Sequence, residues 1–131
     1  MKTKEEIIQN MAYATGTQGY TRFSPFAPDY VLTDGVKQLC DDADCFWLVD
    51  AIASYKEKVM TDLDVASFQP WTLTVKDNKA TLVCKKDNYE TDSQDIFIEQ
   101  KIPFTDFPLD KVDIWVERSD ELFVLLLPSE H

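Results

Sequence analysis

The chain changes character where the period of its apolar positions changes. In the first half apolar residues recur every three to four positions, and in the second they alternate with polar ones. Ile7, Ile8, Met11 and Ala12 predict an amphipathic helix over 3–14, with Glu5 and Glu6 in its first turn and Thr15-Gly16 as its end. Thr33 reads as the N-cap of a second helix, with Val36, Leu39 and Cys40 on one side and an interruption at Asp41-Asp42-Ala43-Asp44. A longer helix is predicted over 45–60. Leu48, Val49, Ile52, Tyr55, Val59 and Met60 form its apolar stripe, widened by Trp47 and Ala51. Residues 16–32 combine Gly16, Gly19, Pro25 and Pro28 with Tyr20, Phe23, Phe26 and Tyr30, and read as an ordered aromatic loop.

Beyond residue 70 the period is two. Trp71, Leu73 and Val75 alternate with Thr72, Thr74 and Lys76; Asp77-Asn78 is a turn signal, and Ala80 to Cys84 continue as a second strand. Residues 86–94 are polar and acidic, which suits a loop or hairpin tip. Ile96, Ile98, Ile102 and Phe104 suggest a third strand with a bulge near Gln100, and 112–117 a fourth. Leu122 to Leu127 are apolar on both faces, as in a central strand. Helices followed by strands predict one α+β domain over 1–131, with N-terminal helices packed on a C-terminal, mostly antiparallel sheet of about four to five strands. Its expected core is Leu48, Val49, Ile52, Trp71, Leu73 and Ile114 with Val124 and Leu126.

A chain of 131 residues, 44% hydrophobic and 28% charged, can bury a core of its own, which argues against a chain disordered throughout. Charge changes the picture more. Lys plus Arg is 13 and Asp plus Glu is 24, a formal net charge of −11. Such a field repels nucleic acid and anionic membrane and favours cationic partners; the plainer alternative is solubility. Cys40, Cys45 and Cys84 are odd in number, and Met1 to Gln9 are charged rather than apolar. Reduced, metal-free cysteines in a cytoplasmic protein are therefore expected. No apolar run approaches the roughly 20 residues of a membrane helix.

Little in the sequence favours catalysis. The only histidine, His131, lies at the chain end, where chains usually fray, so a Cys–His or Ser–His pair has a poor base. Cys40, Cys45, Cys84 and His131 could supply zinc ligands, but Cys-x4-Cys is wider than most zinc knuckles and free cysteines are commonly small buried hydrophobes. Asp62 and Asp64 can share a divalent cation, or one of them can cap a turn. No phosphate-binding glycine loop occurs. The expectation is no enzyme, no cofactor and no metal. Acidic clusters remain as candidate partner-binding residues: Asp41, Asp42 and Asp44 at a helix end; Asp87, Glu90, Asp92 and Asp95 in a loop; and Glu117, Asp120 and Glu121 on the last hairpin, which Asp106, Asp110 and Asp113 precede. Exposed acids of this kind usually serve only solvation. A carboxylate stripe can also imitate B-DNA, which presents one charge per roughly 1.7 Å of axis.

Several phrases taken together carry a resemblance: Thr15-Gly16-Thr17 with Tyr20 and Arg22, Leu32-Thr33-Asp34-Gly35-Val36-Lys37, Trp47 to Tyr55, Phe68-Gln69 with Trp71-Thr72-Leu73, Phe104-Thr105-Asp106-Phe107-Pro108-Leu109, and Leu126-Leu127-Pro128-Ser129-Glu130. In this order they resemble a bacterial domain family of unknown function found in phages, prophages, plasmids and chromosomes. The Cys40 to Cys45 stretch and the acidic segment 86–95 depart from its pattern. The resemblance implies association with mobile elements and carries no catalytic residues. With the charge, it leads to an acidic, partner-binding, counter-defence inhibitor: a DNA-mimic or anti-CRISPR-like block of a host protein with a basic surface, a CRISPR effector being one candidate, with no direct contact to nucleic acid or membrane. Two alternatives stand beside it: an accessory module binding through the aromatic loop, and, less favoured, a metal-dependent enzyme.

Overall fold

Local chemistry sets the first helix boundaries. In this computed structural model, which describes residues 2–14, 19–25, 27–88, 91 and 93–131, Thr3 opens α1 (Lys4–Tyr13) with a capping box: its hydroxyl accepts the Glu6 N–H at 3.2 Å while the Glu6 carboxylate accepts the Thr3 N–H at 3.3 Å. The predicted end at Thr15-Gly16 lies outside the described residues. Thr33 caps α2 (Asp34–Ala43), accepting the Val36 N–H at 3.3 Å. The acidic stretch does not interrupt α2; the helix runs to Ala43 and stops because Asp44 turns left-handed at φ 52°. The helix predicted over 45–60 is broken into α3 (Phe46–Ala53) and α4 (Lys56–Val59), with the Ser54 hydroxyl turned back onto the Ala51 carbonyl at 2.6 Å. A short α5 (Leu63–Ser67), capped by Asp62, leads into the sheet.

The aromatic segment is where the expectation fails. It forms β1 (Tyr20–Ser24) and β2 (Ala27–Thr33), an antiparallel pair. Five further strands follow: β3 (Phe68–Lys76), β4 (Lys79–Asn88), β5 (Ser93–Ile102), β6 (Lys111–Ser119) and β7 (Leu122–Leu126). All seven make one sheet in the order β1-β2-β7-β6-β3-β4-β5, antiparallel throughout except where β2 runs parallel to β7. The fold is therefore a seven-stranded mixed sheet drawing strands from both ends of the chain, not four or five C-terminal strands under N-terminal helices. Pro25 and Pro28 misled the reading. The β7 ladder covers only Tyr30 to Leu32, so Pro28 is spared a ladder donor, while the Tyr30-Val31-Leu32 run supplies the aromatic and branched side chains of a buried strand.

The acidic stretch over 86–94 also belongs mostly to strands, because β4 extends to Asn88 and β5 begins at Ser93. The bulge lies at Phe97, between the pairs Cys84–Ile98 and Lys85–Ile96, rather than near Gln100. The Asp77-Asn78 turn is as expected: both residues have positive φ, 54° and 61°, the requirement of a two-residue hairpin with the strands' own twist.

One face of the sheet packs on the helices. Leu48, Val49 and Ile52 of α3 join Trp71, Leu73 and Ile114 in the core, as predicted, together with Ile7 of α1 and Leu39 of α2. In and just after β7 the expectation is half met: Leu126 is buried, but Phe123, Leu125 and Leu127 are the residues that join the helix-side core, whereas Val124, half-buried, and Leu126 lie on the other face. Alternation could not decide this in a strand apolar at every position. No helix among the described residues is long and apolar enough to cross a membrane.

Candidate interaction surface

The face of the sheet away from α2 and α3 is shaped into two clefts. One, of about 910 Å3, is lined by Phe68, Pro70, Thr72 and Trp115 with Asp64, Lys85, Lys86, Asp87, Asp95 and Asp113. The other, of about 630 Å3, has an apolar floor of Val31, Leu122, Val124 and Leu126 and a rim that includes Tyr20, Glu117 and His131. Between them stands an aromatic ridge. The Trp115 ring centroid lies 5.3 Å from Phe68 and 5.3 Å from His131, and Phe68 lies 6.2 Å from His131, all near edge-on. Phe68 is 37% exposed.

His131 is held in place rather than frayed. Its N–H donates to the Pro128 carbonyl at 3.2 Å and its Nε2 meets Glu117 Oε1 at 2.5 Å. Carboxylates around the ridge are oriented too: the Thr72 hydroxyl donates to Asp113 at 2.7 Å and Gln94 Nε2 donates to Asp87 at 3.1 Å. Of the two lysines in the larger cleft, Lys86 is ion-paired with Asp62. That contact, with backbone N–H groups of Val65 and Asp64, holds the Asp62 carboxyl below its usual range, and it raises Lys86. Asp62 thus caps α5 and anchors β4, and the Asp62-Leu63-Asp64 spacing serves structure. Among the described residues no three ligand-type side chains converge as a metal would require.

The predicted acidic residues divide into groups. Asp87 and Asp95 line the larger cleft, and Glu117 flanks the ridge. Asp120 and Glu121 sit exposed at the β6–β7 turn. Glu90 and Asp92 lie outside the described residues. On the helical layer Asp41 is exposed and bonded by Lys37 at 2.9 Å, and Asp44 is the exposed C-cap of α2. Asp42 is no surface group: it is 3% exposed and accepts from Asn10 at 2.8 Å and Gln38 at 2.7 Å, with Lys2 at 3.4 Å. Burial pushes its carboxyl up, but the Asn10, Gln38 and Lys2 contacts outweigh that and hold it below the usual range. Asp42 ties α1 to α2 and is removed from the candidate contact residues.

Nor do the four rings of the aromatic segment form one patch. Tyr30 is 1% exposed and stacks on Phe123 at 4.9 Å; Phe23 is half-buried against Phe46 at 6.4 Å; Phe26 lies outside the described residues; Tyr20 alone projects, at 63% exposure. The sequence reading missed Trp115, Phe68 and His131 as a group, because β3, β6 and the chain end bring them together only through register: Phe68 pairs with Glu117 and Pro70 with Trp115. The three cysteines are buried thiols. Contact with Cys40 and burial push Cys45 up, and burial pushes Cys84 up to about 12.

A second motif from the sequence resolves into a lock. The Glu130 carboxylate is 9% exposed and accepts from the Thr33 hydroxyl at 2.7 Å, the Gly35 N–H at 3.1 Å and the Leu127 N–H at 3.0 Å. It sits on the first turn of α2 so tightly that a Cβ on Gly35 would lie 2.4 Å from Oε1. Leu32 to Lys37 and Leu126 to Glu130 are therefore two halves of one contact.

No curated protein and no solved structure matches the chain. A family model does, and it spans residues 5–131. The chain belongs to the family of unknown function DUF6876.

Proposed function

We propose that the protein acts by binding another protein, and that the contact surface is the face of the sheet bearing Phe68, Trp115 and His131 with Asp64, Asp87, Asp113 and Glu117. The observation that carries this reading is the aromatic ridge between two clefts. Rings positioned by one another and rimmed by hydrogen-bonded carboxylates supply both the large contact area and the cation-attracting edge that a partner's Arg or Lys would use. The net charge of −11 favours a partner with a basic surface by steering its approach. The resemblance to a mobile-element family makes a host nucleic-acid-handling protein, a CRISPR effector among them, the partner class to try first, with the chain as counter-defence inhibitor.

Capture from host lysate on immobilised protein tests this when run with variants. Trp115→Ala and Glu117→Lys should lose the captured protein, and Asp41→Lys with Asp44→Lys should retain it, since those acids lie on the helical layer. Retention by both sheet-face variants would reject the surface, and capture indifferent to salt would reject the electrostatic part.

A further inference from the structure

On the same face, toward the β3–β4 turn, register assembles lysines that sequence scatters. Lys111 of β6 pairs with Thr74 of β3, Thr74 with Thr81 of β4, and Thr81 with Lys101 of β5. Directly paired residues share a face, so Lys111-Thr74-Thr81-Lys101 is one row across four strands. Two residues on, Lys76 and Lys79 stand opposite each other beside the turn. All four lysines and Thr74 are exposed, and Thr81 is half-buried. A chain with only 13 basic residues thus places four of them on one small area of sheet. Lys101 pairs with Glu99 at 3.1 Å, whereas among the described residues Lys76, Lys79 and Lys111 make no ion pair. The nearby acids are engaged elsewhere in two cases: Asp110 reaches Lys4 at 3.4 Å and Asp113 takes the Thr72 hydroxyl; Asp77 lies in the turn itself. Like charges directly opposite in a sheet cost stability, so the Lys76–Lys79 pair is a feature that folding alone does not favour.

We infer that these two rows bind the phosphodiester backbone of a nucleic acid. The rows hold only ammonium and hydroxyl groups, the donors that phosphate contacts use, and no apolar anchor of the kind that concentrates binding energy in a protein partner. Their width is three strand spacings, roughly 14 Å. Net charge does not forbid this. On this face the next row toward the ridge, Asp113-Thr72-Val83-Glu99, carries two acids, of which Asp113 accepts the Thr72 hydroxyl and Glu99 pairs with Lys101; the acids of α2 lie on the other side of the sheet, and at physiological salt fields are screened over about 8 Å. The inference goes beyond the proposed protein contact and does not depend on it.

Fluorescence anisotropy of a labelled single-stranded oligonucleotide of about 20 nucleotides, titrated with the full chain at 50 to 200 mM salt, provides the test. Binding is expected, with log K falling against log salt at a slope of about −3, from roughly −0.7 for each of four lysines. Changing Lys76, Lys79, Lys101 and Lys111 together to Gln should abolish binding, and each single change should reduce the slope by about 0.7. Circular dichroism should show all these variants folded, since exposed charges contribute little to stability. Trp115→Ala should bind the oligonucleotide as the parent does, which separates this surface from the ridge. Absence of binding at 50 mM salt overturns the inference. So does binding that survives the fourfold change, or polyglutamate that binds as tightly as the oligonucleotide and so marks an acidic polypeptide as the occupant.

Discussion

Replacing the buried Glu130 with Ala should strongly destabilise the protein. The carboxylate accepts from one hydroxyl and two backbone N–H groups and faces the first turn of α2. Hydrogen bonds to a charged acceptor contribute about 1.5–3 kcal/mol each, and they are not additive within one group. Favourable charge at a helix N-terminus adds about 0.3–1 kcal/mol. Water admitted to the vacated space would recover part, which leaves a net loss of about 3–5 kcal/mol, a large share of the 5–15 kcal/mol typical of whole domains. Glu130→Gln keeps the shape but turns a donor toward donors, and should cost about 2 kcal/mol. Urea unfolding followed by tryptophan fluorescence reads both. Gly35→Ala supplies the internal control. Its Cβ would collide with Glu130 Oε1, so it should be strongly destabilising alone and nearly neutral in the Glu130→Ala background. A loss below about 1 kcal/mol for Glu130→Ala, or additive costs in that cycle, would refute the lock.

The remaining expectations are simpler. Asp42 has a folded pKa below its unfolded value, so its contribution is present above about pH 4 and disappears as pH falls through the lower folded value; stability should drop in that acid range, and Asp42→Asn should flatten the profile measured by urea midpoints. Leu125→Ala should cost about 2–5 kcal/mol and Val124→Ala far less, because only Leu125 faces the helices; equal losses would overturn the face assignment. Native protein should react with a thiol reagent at the rate of global unfolding, since Cys40, Cys45 and Cys84 are all buried; rapid labelling of even one would contradict their placement.

How far the fold was legible depended on whether one physical signal or two competed at a position. Trp71, Leu73 and Val75 alternate cleanly with polar residues, and the strand and its face followed directly. Thr33 before Asp34-Gly35 predicted a real cap. Tyr30-Val31-Leu32 was a buried strand in plain hydrophobic terms, but Pro25, Pro28 and two glycines nearby carried the stronger local signal, and its partner strand lies at the far end of the chain. In β7 every residue is apolar, so facing was undetermined. The candidate surface was less legible still. Asp42 counts as an acid in a composition, yet three neighbouring donors make it part of the interior. Trp115 and Phe68 become neighbours only through strand register, as do Lys101 and Lys111 with the Lys76–Lys79 hairpin, and His131 joins the ridge from beyond β7; no local pattern expresses these meetings.

The parallel pairing of β2 with β7 bears on how the chain assembles. Tyr30 faces Phe123, a separation of 123 − 30 = 93 residues, and β2 is joined to the sheet on its inner side only through β7. The hairpins β3–β4, β4–β5 and β6–β7 can form from near neighbours, but β1 and β2 have no sheet to join until the last strand is in place. Closing such a long loop comes late and slowly, since its entropy is lost before its contacts form. During synthesis Tyr30, Val31 and Leu32 therefore stay without β7, their inner neighbour, until residues 122–126 have emerged. A chain shortened before Leu122 would leave β1 and β2 as an exposed apolar hairpin, prone to pair with other molecules.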